Sequence, residues 1–302
     1  MKAVARASIH LQGRDLRYAE VEQYGARYRL LRLGGCDFDF DVTRELREPD
    51  SARLLSVRQA LRDVLAGSVA STIRFVLHPP VVRTFFAAVP SDLPKASLAI
   101  RAQQETVLLY GVGPAATVDH EIAAQEALPR GDGSVSWQAV SVALPDVRRK
   151  LGRLANALPG TDFEVISGRV AAGHALRRFQ QVTEKEDDMG IALAIGCYGD
   201  QYECSLAAGG QWLFSHSVEN MAEVDAAYFC SQVLQRRGHA INEVSRILLY
   251  GDVSRAEAPS FARLFGLQPS LFDPLMLVNL DPATIDTDFE GTAYLPCVGG
   301  AL

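Results

Sequence analysis

Residues 190 to 218, GIALAIGCYGDQYECSLAAGGQWLFSHSV, pose the sharpest chemical question in the chain. Ile191, Leu193 and Ile195 alternate with smaller residues, the pattern breaks at Gly196, and it resumes through Tyr202, Cys204 and Leu206 before Gly209-Gly210. That pattern predicts two strands joined by a bend. In a chain that folds around a nucleotide, an aspartate closing the first strand would hold Mg²⁺, and small hydroxyl residues in the bend would hold phosphate. Here the strand ends in Ala194, and the bend reads GCYGDQ. Asp200, four residues after Gly196, is near enough to offer a carboxylate, although a solvated turn aspartate is the reading its context favours.

Other residues that could do chemistry are more isolated. His10 has no second histidine or carboxylate at strand or helix spacing, so it reads as a half-exposed strand histidine and not as a base or metal ligand. His216, in FSHSV, invites a hydrolase reading, but no G-x-S-x-G elbow supplies a nucleophile. GVGPAAT (111 to 117) and GDGS (131 to 134) are not followed by Gly-Lys-Ser/Thr and read as turns. The five cysteines are scattered, with no CxxC and no histidine at zinc spacing, as expected of reduced, mostly buried thiols. Short basic clusters at 148 to 150, 177 to 178 and 236 to 237 read as solvated helix faces.

The elements that must position these residues follow from composition and periodicity. A chain of 302 residues, 48% hydrophobic and 22% charged, suits a soluble globular protein of about two domains. Its net charge of -6, with both signs interspersed, leaves no basic stripe for a nucleic acid backbone. The N-terminal stretch lacks an apolar run of signal-peptide length, and no window approaches about 18 apolar residues. A cytoplasmic location is expected, with any membrane link made through a partner.

From Ala7 to Leu33 the alternation, broken at Gly13 and at YGAR, predicts a three-stranded meander. Leu54, Leu55, Val57, Leu61, Val64 and Leu65 then fall near helical spacing after a capping Asp50 or Ser51. Residues 70 to 165 show an α+β pattern of their own. VTEKEDDM (182 to 189) is a polar, acidic boundary between two ordered stretches. After it come the second meander, a helix through VDAAYFCSQVLQRRG, a strand RILLYGD, a helix APSFARLFG and the small-residue segment TAYLPCVGGAL. The recurrence of meander then helices suggests a duplication.

RTFFAAVPSDLP followed by LAIRAQQE, which carries Glu105, together with RVAAGHALRRF, SRILLYGDVSRAEAPSFARLFG and TAYLPCVGGAL, resemble in order and pattern the PilM family of type IV pilus assembly proteins. That family and the related cytoplasmic L-type proteins of type II secretion belong to the actin-like ATPase superfamily. The resemblance covers nearly the whole chain. It implies an α/β fold, actin-like (ribonuclease H-like), of two domains. The first spans 1 to 185, with an inserted α+β subdomain at about 68 to 160. The second spans 186 to 302, its last helix (about 291 to 302) packing back on the first.

Against the family's pattern, His10 and Gln12 stand where the first phosphate loop has Asp and Gly, Ala194 stands for the second Asp, and Asp252 for the second glycine of the nucleoside turn. Losing the carboxylates removes the protein's hold on Mg²⁺, and a Cβ where backbone must approach the ligand fills the ligand's space. The resemblance therefore implies a vestigial nucleotide cleft built from Gly13, Gly196, Gly199, Asp200, Gly251 and Asp252, with no catalytic residue, no metal ligand and no cofactor. ATP with Mg²⁺ is disfavoured.

The implied role is a scaffold, a pseudo-ATPase. It would bind the cytoplasmic tail of a bitopic inner-membrane pilus or secretion protein, in a groove lined by RFVLHPPVVRTFF. Homo-oligomerisation is left open. The alternative is an active Mg-ATP-binding ATPase or kinase of the same superfold, drawing carboxylates from Asp15, Asp200 and Asp252.

Overall fold

The computed structural model describes residues 3–49, 51–90, 97, 100, 104, 108, 120–122, 135–156, 162–183, 190–199, 201–253, 258–280 and 290–302. Strands β1 (Val4–Gln12), β2 (Asp15–Tyr24) and β3 (Arg27–Asp37) form the first antiparallel meander. Gly13 turns the first hairpin in the left-handed region (φ 56°), where a side chain would be strained. Helix α1 (Val42–Arg47) starts where the Asp41 carboxylate accepts the Arg44 backbone N–H at 2.9 Å. Helix α2 (Leu54–Leu65) buries Val57, Leu61 and Leu65, one residue per turn on a single face.

The chain then returns as β4 (Thr72–Leu77), parallel to β1. A separate three-stranded sheet follows, made of β5 (Val82–Pro90), β6 (His120–Ile122) and β7 (Val135–Ala143) in the order β5-β7-β6. Helix α3 (Pro145–Ala155) leads to β8 (Asp162–Ser167), which closes the first five-stranded sheet in the order β3-β2-β1-β4-β8. The separate sheet is narrower than the 68 to 160 expected for an insertion. β4 is hydrogen-bonded into the first sheet, and α3 sends Val147, Leu151 and Leu154 into that sheet's core.

Helix α4 (Gly168–Thr183) follows. Strands β9 (Ile191–Tyr198), β10 (Gln201–Ala208) and β11 (Gln211–Glu219) repeat the meander. Helix α5 (Glu223–Arg236), β12 (Val244–Gly251) parallel to β9, helix α6 (Pro259–Phe265), β13 (Ser270–Leu271) and helix α7 (Leu295–Ala301) complete the second half. The second sheet runs β11-β10-β9-β12-β13, the strand order of the first.

Both sheets are covered on two faces, so alternation along a strand separates two cores and not core from solvent. On β1, Ala7, Ile9 and Leu11 join the core under α1, α2 and α3, while Ser8 and His10 face the other way and are also buried. On β9, Ile191, Leu193, Ile195 and Cys197 pack with Phe261, Cys230 and Leu234 of the outer helices. Ala192 and Ala194 pack instead with Ala172, Leu176 and Val298. Helices α4 and α7 thus lie between the sheets, α4 against β10 and β11, α7 against β1, β2 and β4, and each against the other. Small residues permit that approach: Gly173 lies under the Trp212 ring and Gly299 on the Ala171 backbone.

Candidate functional site

In open α/β sheets, ligands bind beyond the carboxyl ends of the parallel strands. At that end of the first sheet stand His10, near the close of β1, and His78, one residue past β4. The second sheet contributes Tyr198 and Tyr250 from the ends of β9 and β12, and Gln201 and Glu203 from the start of β10. These six side chains meet. His10 Nε2 and His78 Nε2 are 2.7 Å apart, and His78 Nδ1 lies 2.8 Å from Glu203 Oε1. Gln201 Nε2 donates to the same oxygen at 3.2 Å, and the Tyr250 hydroxyl donates to Glu203 Oε2 at 3.3 Å. The Tyr198 ring covers His78 with centroids 4.4 Å apart. His10, His78, Glu203 and Tyr250 are each 0% exposed, so the cluster is shut off from solvent.

Burial sets the protonation states. The His10 imidazole is held well below its usual 6.5, first by burial and then by His78 and Arg17, and is neutral. Tyr198 and Tyr250 are pushed well above the usual phenol value by burial, reinforced by the Glu203 carboxylate, and stay protonated. Among the described residues, His10 Nδ1 and the Tyr198 hydroxyl are buried without a hydrogen-bond partner.

Of the six cleft residues named from the sequence, the five that are described, Gly13, Gly196, Gly199, Gly251 and Asp252, fall around this cluster without adding a side chain to it. Gly13 and Gly199 are left-handed hairpin residues (φ 56° and 61°) with open space where a Cβ would stand. Gly196 is not a bend: β9 runs on to Tyr198 and pairs Gly196 with Glu203 and Tyr250. A Cβ at Gly196 would stand 2.6 Å from the Tyr250 ring, so packing of that ring explains the glycine. Gly251 (φ 86°) would bring a Cβ to 2.5 Å from the Cys197 carbonyl oxygen, so it serves the approach of β12 to β9. Asp252 is exposed, and its backbone N–H donates to Cys197 at 2.8 Å. Asp200 and Glu105 lie outside the described residues, as do GVGPAAT and GDGS.

Counting back three residues from the two hairpin glycines, His10 and Gly196 hold the same place in the two meanders. The expectation that His10 is half-exposed is wrong: it is fully buried, because its face of β1 points at the second sheet and not at water. Asp15 is turned to an ion pair with Arg17 at 2.6 Å. Its carboxyl is raised by burial and by Asp37 against the lowering effect of Arg17. His216 sits half-buried beside Phe214. Of the expected groove stretch, Phe75, Val76, Leu77, His78, Val81 and Val82 are buried, while Phe86 packs on Trp212 and Phe214 of the second half.

His78, Glu203, Tyr198 and Tyr250 were not legible as a site. Their contacts join residues 47 to 125 positions apart, and no local spacing encodes them.

Gly168, the first residue of α4, lies against the His78 ring, and a Cβ there would stand 2.7 Å from Nδ1. His78 is pinned on both nitrogens and cannot step aside. Gly168→Ala is therefore expected to cost about 2 kcal/mol of stability, in the range for overpacked cores. Chemical denaturation would measure it; a loss below about 0.5 kcal/mol, the scale of a neutral surface change, would show that His78 is free to move.

No family model and no curated protein matches this sequence. Solved structures do match. A chain of a PilM–PilN type IV pilus biogenesis complex superposes with a TM-score of 0.71, over 98% of this chain and 97% of that one, at 14% identity. A protein from Bacteroides thetaiotaomicron VPI-5482, described as having an actin-like ATPase fold and unknown function, gives a TM-score of 0.51. It covers 91% of this chain and 92% of that one, at 14% identity. The chain has the actin-like ATPase fold.

In this actin-like chain, the place between the halves where the resemblance puts a nucleotide is occupied by the chain's own imidazoles, phenols and carboxylate. The described residues of this place do not fit Mg²⁺ with a triphosphate. Among the described residues, no group of three or more His, Cys, Asp or Glu is arranged to hold a metal ion. Glu203, the one carboxylate in the cluster, is already engaged by three donors. Among the described residues, no helix is long and apolar enough to cross a membrane.

Proposed function

We propose that this chain is a nucleotide-free adaptor of a type IV pilus or related secretion assembly platform, holding the cytoplasmic tail of a bitopic inner-membrane protein. The filled cleft carries this reading. An actin-like protein that has built a buried His-His-Glu-Tyr cluster across its nucleotide position retains the fold as a binding body and not as an engine. End-to-end likeness to a chain from a PilM–PilN complex supports the setting. The tail would add as an extended segment along a strand edge near the inserted sheet, backbone hydrogen bonds giving affinity and side-chain pockets giving choice. The protein would reach the inner membrane only through that partner.

Two titrations test the reading. Calorimetry of the purified protein with Mg-ATP and Mg-ADP is expected to give no saturable heat, and neither nucleotide is expected to raise the melting temperature. Binding tighter than about 100 μM, roughly 5 kcal/mol on the affinity scale, would overturn the nucleotide-free reading in favour of an active ATPase or kinase. Labelled peptides from the cytoplasmic segments of bitopic membrane proteins encoded beside this chain are expected to bind with a dissociation constant of about 10 μM or better. Absence of binding by all of them would sink the adaptor role.

A further inference from the structure

The buried cluster joins the two halves of the molecule. His10 and His78 come from the first sheet, Glu203 and Tyr250 from the second, and the contacts between them lie at the end of the inter-sheet space that a ligand would otherwise fill. We propose that the His10–His78–Glu203 chain is a proton-operated fastener between the halves, closed with two protons on its four ring nitrogens and released by a third.

Counting protons along the chain gives this result. His78 Nδ1 faces a carboxylate oxygen at 2.8 Å and carries one proton. The two Nε2 atoms, 2.7 Å apart, share one: with none they repel as two lone pairs, with two they repel as facing N–H groups. That leaves His10 Nδ1 as the open nitrogen, an acceptor that is buried without a partner. On the far side of the chain, His78, Gln201 and Tyr250 all donate to the Glu203 carboxylate. A third proton therefore lands on His10 Nδ1 and creates a buried N–H with no acceptor, on a cation that burial disfavours.

The other groups around His10 do not relieve that charge. From β2, Arg17 adds a like charge. On β9 stands Tyr198, its ring 6.2 Å from that of His10, and on α7 Cys297, both held in their neutral, protonated forms by raised pKa values. Beyond β12, the exposed Asp252 acts on Tyr198 and not directly on His10. Separating the halves at this end returns the imidazoles to water while α4 and α7 remain packed as the hinge.

The test uses the full chain in a Cys36→Ser background, with spin labels at Gln59→Cys on α2 and Gln235→Cys on α5, two exposed positions on opposite halves. Pulsed dipolar spectroscopy is expected to give a fixed distance from pH 8 to 7 and a longer, broader one below about 6.5, the ordinary imidazole range, with far-UV circular dichroism unchanged. His10→Gln, whose amide still donates to His78 Nε2 but takes no proton, is expected to stay fixed throughout. Glu203→Gln removes the anion that His78 donates to and keeps an acceptor; it weakens the closed chain, so release is expected at a higher pH, with the midpoint moved up by about one pH unit or more. A wild-type distance that does not change with pH overturns the proposal. So does an identical transition in His10→Gln, an unmoved midpoint in Glu203→Gln, or loss of circular dichroism together with the distance change.

Discussion

Replacing Gly299 with alanine is expected to lower the stability of this protein by about 3 kcal/mol, the upper part of the range for one methyl group forced into a packed core. The added Cβ would press into the Ala171 carbonyl oxygen, 2.9 Å from the Ala171 carbonyl carbon and 3.1 Å from the Ala175 methyl. A backbone carbonyl inside a helix cannot rotate away without breaking its own hydrogen bond. Nor can α7 retreat on the other side. Gly300 would place a Cβ 2.7 Å from Val76 Cγ2, so that face is equally close.

Two arginines fix the end of the helix as well, Arg6 donating to the Leu302 carbonyl at 3.1 Å and Arg74 to the Gly300 carbonyl at 2.9 Å. Because α4 and α7 are the layer between the two sheets, strain there is felt by both halves. Gly34→Ala is the internal control: it lies in β3 with nothing within 4 Å of the new Cβ and with no left-handed φ, and it should be neutral within about 0.5 kcal/mol. Urea denaturation of the three proteins decides the matter. If Gly299→Ala unfolds at the same midpoint as Gly34→Ala, the close approach of α7 to α4 is not rigid.

How much of this could be read beforehand depended on whether the signal was local. Both meanders, the helix at 54 to 65 and the helix after Pro145 were legible because alternation and turn glycines are written within a few residues. The two-halved, actin-like plan followed from the order of those elements. Gly196 misled because a glycine inside an alternating run looks like punctuation; its reason is the Tyr250 ring, 54 residues away in the chain. Glu203 lay hidden in the same way. Tyr202, Cys204 and Leu206 supply an inward face for β10, and an intervening glutamate then looks solvent-facing. In fact the second face is buried too, against the other half of the molecule. Period-two patterning cannot separate a strand with one wet face from a strand between two cores when the second core is polar. His10 was judged from its neighbours in sequence, whereas its partner lies 68 positions on.

Acid is expected to weaken the fold through a second buried imidazole, independent of the cleft. His174 lies on α4 beside Trp212, with ring centroids 6.4 Å apart, and its Nδ1 is shut off from solvent. Burial, and then the positive charge of Arg74, with smaller effects from Arg177 and Arg6, lowers its pKa to about 4 against a partial opposing effect from the Gly299 backbone. A folded-state value below the unfolded 6.5 means that the unfolded chain takes up the proton first as pH falls. The stabilisation is therefore complete above about 6.5 and is lost progressively from there down to about 4.

At about 1.4 kcal/mol per unit, that interval amounts to about 3 kcal/mol, reduced to about 2 kcal/mol by solvent screening because part of the ring is exposed. His174→Gln removes the titration while keeping a polar group of similar reach. The difference in unfolding free energy between wild type and this variant, from urea curves at pH 7, 6, 5 and 4, should move steadily against wild type as pH falls. His10 acts in the same direction, but it is present in both proteins and cancels in the difference. A difference that stays level across the series would mean that His174 titrates as it does in water, and that the contact between α4 and Trp212 opens far more readily than its packing implies.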